Sequence, residues 1–462
     1  MVVNISDTIM SIILLFFFGA QILDGNVRTI CMVLASLFVI VFCLKRKKNI
    51  FVIIFLLLLV QPALQGITNG LVNQAITYLD EIVEIIFAVY LLYIAIHDLH
   101  LYAREKKIMV LYFCYILITA ISSVMSWHSK ISIIALDCFM CIKFMVFYRG
   151  GVELSKRKIF DGKDLYNYID YACKALSVIL LLLSIHDIIF SPFFEKRDFR
   201  YFMDSLQLCF THPTYLAAAC FSCMIVLMYC MKYNKHNMKY IIALAIVMCF
   251  TLRSKAIASV LIVFAIYFSC VKYKLKIKWL VLIGAVCFAV YFGMSQIEMY
   301  FTVGTNVPIR LKLLQDGINI AQQYFPLGAG FGTFGTTIAY NSRSMFYYQL
   351  GYMSGYYENQ PVGDGFWPGI FAESGWIGSL LFVLVIIMML IDSYKMINED
   401  KYAAWCMLSV LAYAIIASTA ETGFFNPATA FMFIVYGIAA SEYGKKSSQI
   451  PARKLSKYWA KS

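Results

Sequence analysis

Residues 366–391 read FWPGIFAESGWIGSLLFVLVIIMMLI, with one charged side chain, Glu373, in the whole run. That exceeds the ~20 apolar residues a helix needs to cross a bilayer. Immediately before it lies a polar, aromatic segment from about Ile297 to Gly365. Everything earlier is a procession of apolar runs too long and too uncharged for a soluble core, so 297–365 reads as the one substantial extramembrane region. Chemistry is to be sought there first.

Composition agrees with a membrane protein. Of 462 residues 61% are hydrophobic and only 14% charged, and the mean hydropathy is +0.75, which excludes a soluble domain. The formal charge of +13 comes from Lys and Arg in short clusters between apolar runs. The positive-inside rule accounts for that pattern, so no nucleic-acid partner is implied. The 14 Cys lie mostly within apolar runs (Cys31, Cys43, Cys114, Cys220, Cys223, Cys249) and read as small packed hydrophobes, without a disulfide framework or a metal-ligand cluster. The run Ile9 to Leu23 has neither a basic stretch before it nor a small-residue cleavage site after it. It reads as a first span retained in the mature protein.

The apolar runs fall at about 8–23, 29–44, 50–65, 81–96, 108–126, 131–147, 171–190, 214–231, 240–252, 256–271, 279–296, 366–391, 402–419 and 427–440. The expected fold is an all-α polytopic integral membrane protein of about fourteen transmembrane helices, one domain over 1–462, with no internal repeat. Splitting 240–271 at Arg253-Ser254-Lys255 is the decisive choice, since a merger would invert everything downstream. With the N-terminus inside and the split made, about 27 of the 39 Lys and Arg fall in the cytoplasmic connections and about 10 in the exterior ones. Both termini are therefore expected inside and the 297–365 loop, between helices 11 and 12, outside.

Within that loop, Leu311, Leu314, Ile318 and Ala321 follow Pro308 at helical spacing, with Lys312, Gln315, Asn319 and Gln322 opposite. This pattern predicts a short amphipathic helix at the membrane surface. Pro326-Leu327-Gly328 closes it, and a stretch rich in Gly and Tyr follows, including Tyr340, Tyr347, Tyr348, Tyr352, Tyr356 and Tyr357. These rings could stack sugars or form an interfacial aromatic belt. Gly330-x-Gly332-x-x-Gly335 formally matches a dinucleotide fingerprint, but no strand precedes it, and it reads as a loop.

The order Arg310-Leu311, then Pro326-Leu327-Gly328-x-Gly330-x-Gly332-x-Phe334, then Glu373-x-Gly375-x-x-Gly378 entering an apolar helix resembles the O-antigen ligase and Wzy-type repeat-unit polymerase superfamily. His212-Pro213-Thr214 at the start of the eighth span and Ser254-Lys255 agree with it, so the resemblance covers roughly 200–440. It implies a glycosyltransferase of the bacterial inner membrane that uses undecaprenyl-diphosphate-linked oligosaccharides at the outer face, without cofactor or metal. It also implies membrane lipid, a flippase and a chain-length regulator as partners. Ligases of the family carry a His eleven positions before a Gly, and counting back from Gly375 lands on Asp364. The carboxylate favours a polymerase making O-antigen, capsule or exopolysaccharide, with a ligase as the alternative. From a different class, a lipid-linked-sugar flippase or transporter could also have fourteen helices.

A lipid-diphosphate sugar already carries its leaving group, so the protein must hold an anionic diphosphate and activate an acceptor hydroxyl. The candidate diphosphate ligands are Arg197, Arg200, Arg253, Lys255 and Arg310, with Arg suited by its bidentate fork. Arg310 and the Arg253/Lys255 pair lead, the first because it matches a family motif and the second because it interrupts apolar sequence. Asp364 is the candidate base or, equally, a helix N-cap. Glu373 and Glu421 could bind an arginine or a sugar hydroxyl, with Glu373 read as structural. His212 reads as a polar cap, and Gly375 with Gly378 as a close-packing site for a neighbouring helix. Asp137 and Lys143, six positions apart in one run, are expected to pair with other helices.

Overall fold

The computed structural model describes residues 5–443 apart from 24, 46, 67, 69, 98–100, 102, 191–192, 195–198, 202, 273–306, 359, 361 and 364. The chain is an all-α membrane protein. Its main helices are α1 (Ile5–Ile22), α2 (Gly25–Lys45), α3 (Lys47–Gln65), α4 (Gly70–Thr77), α5 (Leu79–His97), α6 (Ala103–Ser126), α7 (Ile131–Lys156) and α8 (Asp170–Ile189). They continue as α9 (Pro213–Cys230), α10 (Met238–Phe250), α11 (Ser254–Ile266), α12 (Ile309–Gln323), α13 (Phe366–Lys395), α14 (Lys401–Ala417) and α15 (Pro427–Ala440). Among the described residues, seven helical stretches are long and apolar enough to cross a membrane: Lys48–Gln65, Arg104–Ser126, Ile131–Lys156, Gly162–Ile189, Pro213–Cys230, Ser254–Lys272 and Phe366–Asn398. The apolar helices at Asp7–Ile22, Ile30–Cys43, Lys401–Ala417 and Thr429–Ala440 are shorter. The run expected at 279–296 lies outside the described residues, as do residues 297–306 of the loop.

The disputed stretch 240–271 is two helices. Leu252 turns the chain with φ 51° and Arg253 is extended, so the helical ladder ends between Phe250 and Ser254. The two pieces run in opposite directions. Asn237, just before α10, donates to Asp170 Oδ1 at 2.6 Å, while Leu206 N donates to Phe250 O at the far end. Past α11, Val271 O accepts from Lys401 Nζ at 3.3 Å, whereas Lys255 at the start of α11 meets Glu421 beyond the end of α14. Arg253 therefore sits at the tip of a helical hairpin.

Ion pairs join the loops at the opposite end of the bundle. Lys48 meets Asp164 at 2.6 Å, Lys156 meets Glu105 at 2.6 Å, and Lys232 lies 2.7 Å from Glu442 and 3.6 Å from Asp400. Arg104 approaches Asp392 at 3.7 Å. These are the connections that the Lys/Arg bias groups on one side.

The core is apolar and aromatic, with Phe144 of α7 against Phe382, Phe424, Phe425 and Phe433. The Cys138-x-x-Cys141 and Cys220-x-x-Cys223 spacings fall inside α7 and α9 as free thiols packed among these apolar groups. The closest helix contact joins α7 to α15. A Cβ on Gly151 would lie 2.2 Å from Ile434 O, and one on Gly437 would lie 2.1 Å from Tyr148 O. Backbone approach of this kind is how small residues hold helices together where lipid removes a hydrophobic driving force. Gly151→Ala is expected to lower the unfolding midpoint of the detergent-purified protein, at a cost of about 1–3 kcal/mol. An unchanged midpoint would show that α15 can move aside.

Candidate functional site

The turn that follows α14, the start of α13 and the first turns of α12 line a cleft of about 240 Å³. Arg310, Leu313 and Leu314 line one wall, Gly365 to Pro368 another, and Ser418 to Ala420 the third. Gly317 sets this geometry. A Cβ there would meet Pro368 O at 2.7 Å, so only glycine lets α12 lie directly on α13. Phe366 anchors the same corner, its ring 5.6 Å from Phe424 and 5.2 Å from Phe425.

Charged residues gather at this cleft from three separate parts of the chain. Lys255 Nζ lies 2.6 Å from Glu421 Oε2, one residue beyond the cleft-lining Ala420. Arg253 and Arg310 are both near enough to act on the Lys255 charge. Arg253 is buried, and Arg310 stands in the first turn of α12, where unpaired helix N–H groups also favour an anion. Arg200 lies in a two-residue antiparallel pairing, Phe199–Arg200 with Met203–Asp204, and the intervening Tyr201 places its Oη 3.1 Å from Ser254 Oγ. His212 caps α9, its Nδ1 accepting from Thr214 N at 3.2 Å. Arg197 and Asp364 lie outside the described residues. The N-cap position of α13 is held by Gly365.

The glycine-rich loop is a wedge held by side chains. Phe331 N donates to Ser123 Oγ at 2.7 Å and Gly332 N to Asp137 Oδ2 at 2.8 Å. Thr333 N and Phe334 N both donate to Glu373 Oε1, at 3.0 and 3.4 Å. Ser122 donates to Gly328 O, Ser126 to Ala329 O at 2.6 Å and Ser129 to Gly332 O at 2.8 Å. Gly330 has φ +89°, and its Cβ would lie 2.4 Å from Ser123 Cα, which explains the glycine without a nucleotide. Gly375, φ +59°, breaks α13 where the loop docks, and its Cβ would lie 2.3 Å from Gly328 N. Its expected role in helix packing is corrected: the close neighbour is the loop backbone.

Glu373 and Asp137 thus hold neighbouring N–H groups of one loop and lie near enough for each to act on the other's charge. Glu373 borders a void of about 10 Å³ that shares Gly365 and Phe366 with the cleft. Glu373→Ala is expected to leave the Thr333 and Phe334 N–H groups without their acceptor and to destabilise the fold by about 1–3 kcal/mol per group. Thermal unfolding followed by intrinsic fluorescence measures this; a midpoint equal to wild type would mean that the loop finds other partners.

The tyrosine-rich stretch divides in two. Tyr347 and Tyr352 are fully buried in a small core with Leu313, Ile320, Phe334 and Phe346, whereas Tyr348 and Tyr356 are exposed. Burial, then the Asp316 carboxylate that accepts from its Oη at 2.8 Å, holds the Tyr352 phenol well above its usual range. Burial likewise raises the Tyr347 phenol, which accepts from Gly335 N at 2.9 Å. Sugar stacking is therefore open only to the exposed members. The amphipathic helix exists as expected, but its buried stripe is Leu313, Gly317, Ile320 and Ala321. Leu311, Leu314 and Ile318 are only half-buried, because contact with α13 and Tyr352 rotates the packed face.

Sequence reading missed the clamp on the glycine-rich loop. A signal was present: Ser122, Ser126 and Ser129 recur at i, i+4 and i+7 along the end of an apolar run, and Asp137 follows one helix later. No protein-family model matches this chain, and no curated protein matches it.

Proposed function

We propose that this chain is a multi-pass membrane glycosyltransferase that polymerises undecaprenyl-diphosphate-linked oligosaccharide repeat units at the outer face of the bacterial inner membrane. The proposed topology has about fourteen spans, both termini inside, and the 297–365 loop outside. The observation that carries the reading is the gathering of Arg310, Arg253, Lys255 and Glu421 around a cleft with Ser418 and Thr419 in its wall. Several cations beside hydroxyl groups suit a diphosphate and a sugar. In the proposed reaction the acceptor hydroxyl oxygen attacks the anomeric carbon with inversion. The bond from that carbon to the diphosphate oxygen breaks, its electron pair leaves with the lipid diphosphate, and the acceptor proton passes to a carboxylate. Asp364, next in sequence to the cleft-lining Gly365, is proposed for that proton.

The product is a surface polysaccharide, and a flippase and a chain-length regulator are the proposed partners. The test is reconstitution of the purified protein in lipid with an undecaprenyl-diphosphate-linked repeat unit as sole substrate, products separated by size. A ladder without further acceptor supports a polymerase; transfer only when a second glycan acceptor is added makes the protein a ligase. One observation favours a reading from another class, a lipid-linked-sugar flippase: the buried ionisable cluster around Lys143, half-way along α7. Movement of the lipid-linked sugar across the bilayer without any product would establish that reading and end the enzymatic one.

A further inference from the structure

Lys143 lies at the middle of the 26-residue α7 and its side chain is 1% exposed. Its Nζ is 2.5 Å from Asp80 Oδ2, 3.8 Å from Glu81 Oε1 and 3.8 Å from Glu84 Oε2, all on α5. Asp80 is well matched, since Gln61 of α3 donates to its other oxygen at 2.9 Å. Glu84 is not. It is fully buried, and among the described residues neither of its carboxyl oxygens has a hydrogen-bond partner, nor does Glu81 Oε2.

The groups facing Glu84 are Asp80 and Glu81 on its own helix, Lys143 on α7, uncharged Gln61 on α3 beyond Asp80, and Tyr112 on α6, which feels the Glu84 charge. One ammonium thus opposes three carboxyl groups. Full ionisation would leave two negative charges uncompensated in a buried site, where the low dielectric makes each costly. A polar row borders the cluster beside Asp80: half-buried Gln65 at the end of α3 reaches exposed Thr77 Oγ1 at 3.4 Å, and Gln61 reaches Thr77 O at 3.1 Å and Asp80.

We propose that Asp80, Glu81, Glu84 and Lys143 form a proton-binding site inside the helix bundle, with Glu84 as the group that takes up and releases the proton. Asp80 stays the ionised partner of Lys143, and the proton that Glu84 gains comes from the aqueous phase and returns to it. The site is independent of whether the cleft transfers sugars or passes them across the membrane.

The test uses the full-length protein in phosphatidylethanolamine/phosphatidylglycerol liposomes and infrared difference spectra recorded between acid and alkaline buffer. Glu84→Gln should remove one deuterium-sensitive carboxylic-acid C=O band. A spectrum unchanged by Glu84→Gln overturns the proposal. So does a band that responds to sodium at fixed pH and not to pH at fixed sodium, which would make the site one for a metal cation. Folding gives a second reading: a neutral Glu84 predicts that Glu84→Gln and Glu84→Leu keep a monodisperse, folded protein. Loss of fold in both, with Glu84→Asp intact, would mean that Glu84 is required as an anion.

Discussion

Methionine in place of Lys143 should lower the unfolding midpoint more than any substitution at the cleft. The ammonium is buried, donates to Asp80 at 2.5 Å and lies within 3.8 Å of Glu81 and Glu84. Methionine fills the volume but leaves Asp80 as a buried ion that keeps Gln61 and has lost its ammonium. Removing one partner of a buried pair costs about 3–5 kcal/mol, because the remaining charge is stranded. Adding Asp80→Asn should recover much of this, since two neutral side chains can replace a buried ion pair at little cost. The check is a double-mutant cycle on thermal unfolding in detergent. Equal midpoints for Lys143→Met and wild type would show that the charge contributes nothing, and a double variant no better than the single would place the energy elsewhere.

The second large effect belongs to the cleft. Arg310→Ala and Arg253→Ala are each expected to reduce polymer formation by about 100- to 1,000-fold, the range found when one preorganised donor to a developing anion is removed. Lysine at position 310 should restore only part of the activity, because an ammonium cannot make the two parallel bonds of a guanidinium. Arg310→Ala should not unfold the protein, since Arg310 is half-exposed in the first turn of α12; Arg253 is buried, so the activity of Arg253→Ala is compared at equal folded fraction, measured by its unfolding midpoint. The rate of ladder formation in liposomes measures this. Full activity in both alanine variants would remove the diphosphate from this cleft and with it the proposed chemistry.

The sequence by itself was enough to find an all-α membrane protein, because hydrophobic length is a local property that needs no knowledge of neighbours. It also placed the break at Arg253, since two basic residues in apolar sequence are too costly to bury along a lipid-facing helix. The pairing of Lys143 outside its own helix was legible for the same reason. Partners were not legible. That Lys255 would find Glu421, that Lys143 would meet three carboxyl groups on α5, or that Asp137 and Glu373 would hold one loop, depends on contacts between residues tens to hundreds of positions apart. The burial stripe of α12 was misread for a related reason: amphipathic spacing tells which residues are apolar, whereas the face that is covered is chosen by Gly317 closing onto Pro368. In one dimension the glycines at 328, 330 and 335 read as a loop and Gly375 as a packing site for a neighbouring helix. Only the folded chain shows that they are there because backbone meets backbone with no room for a Cβ.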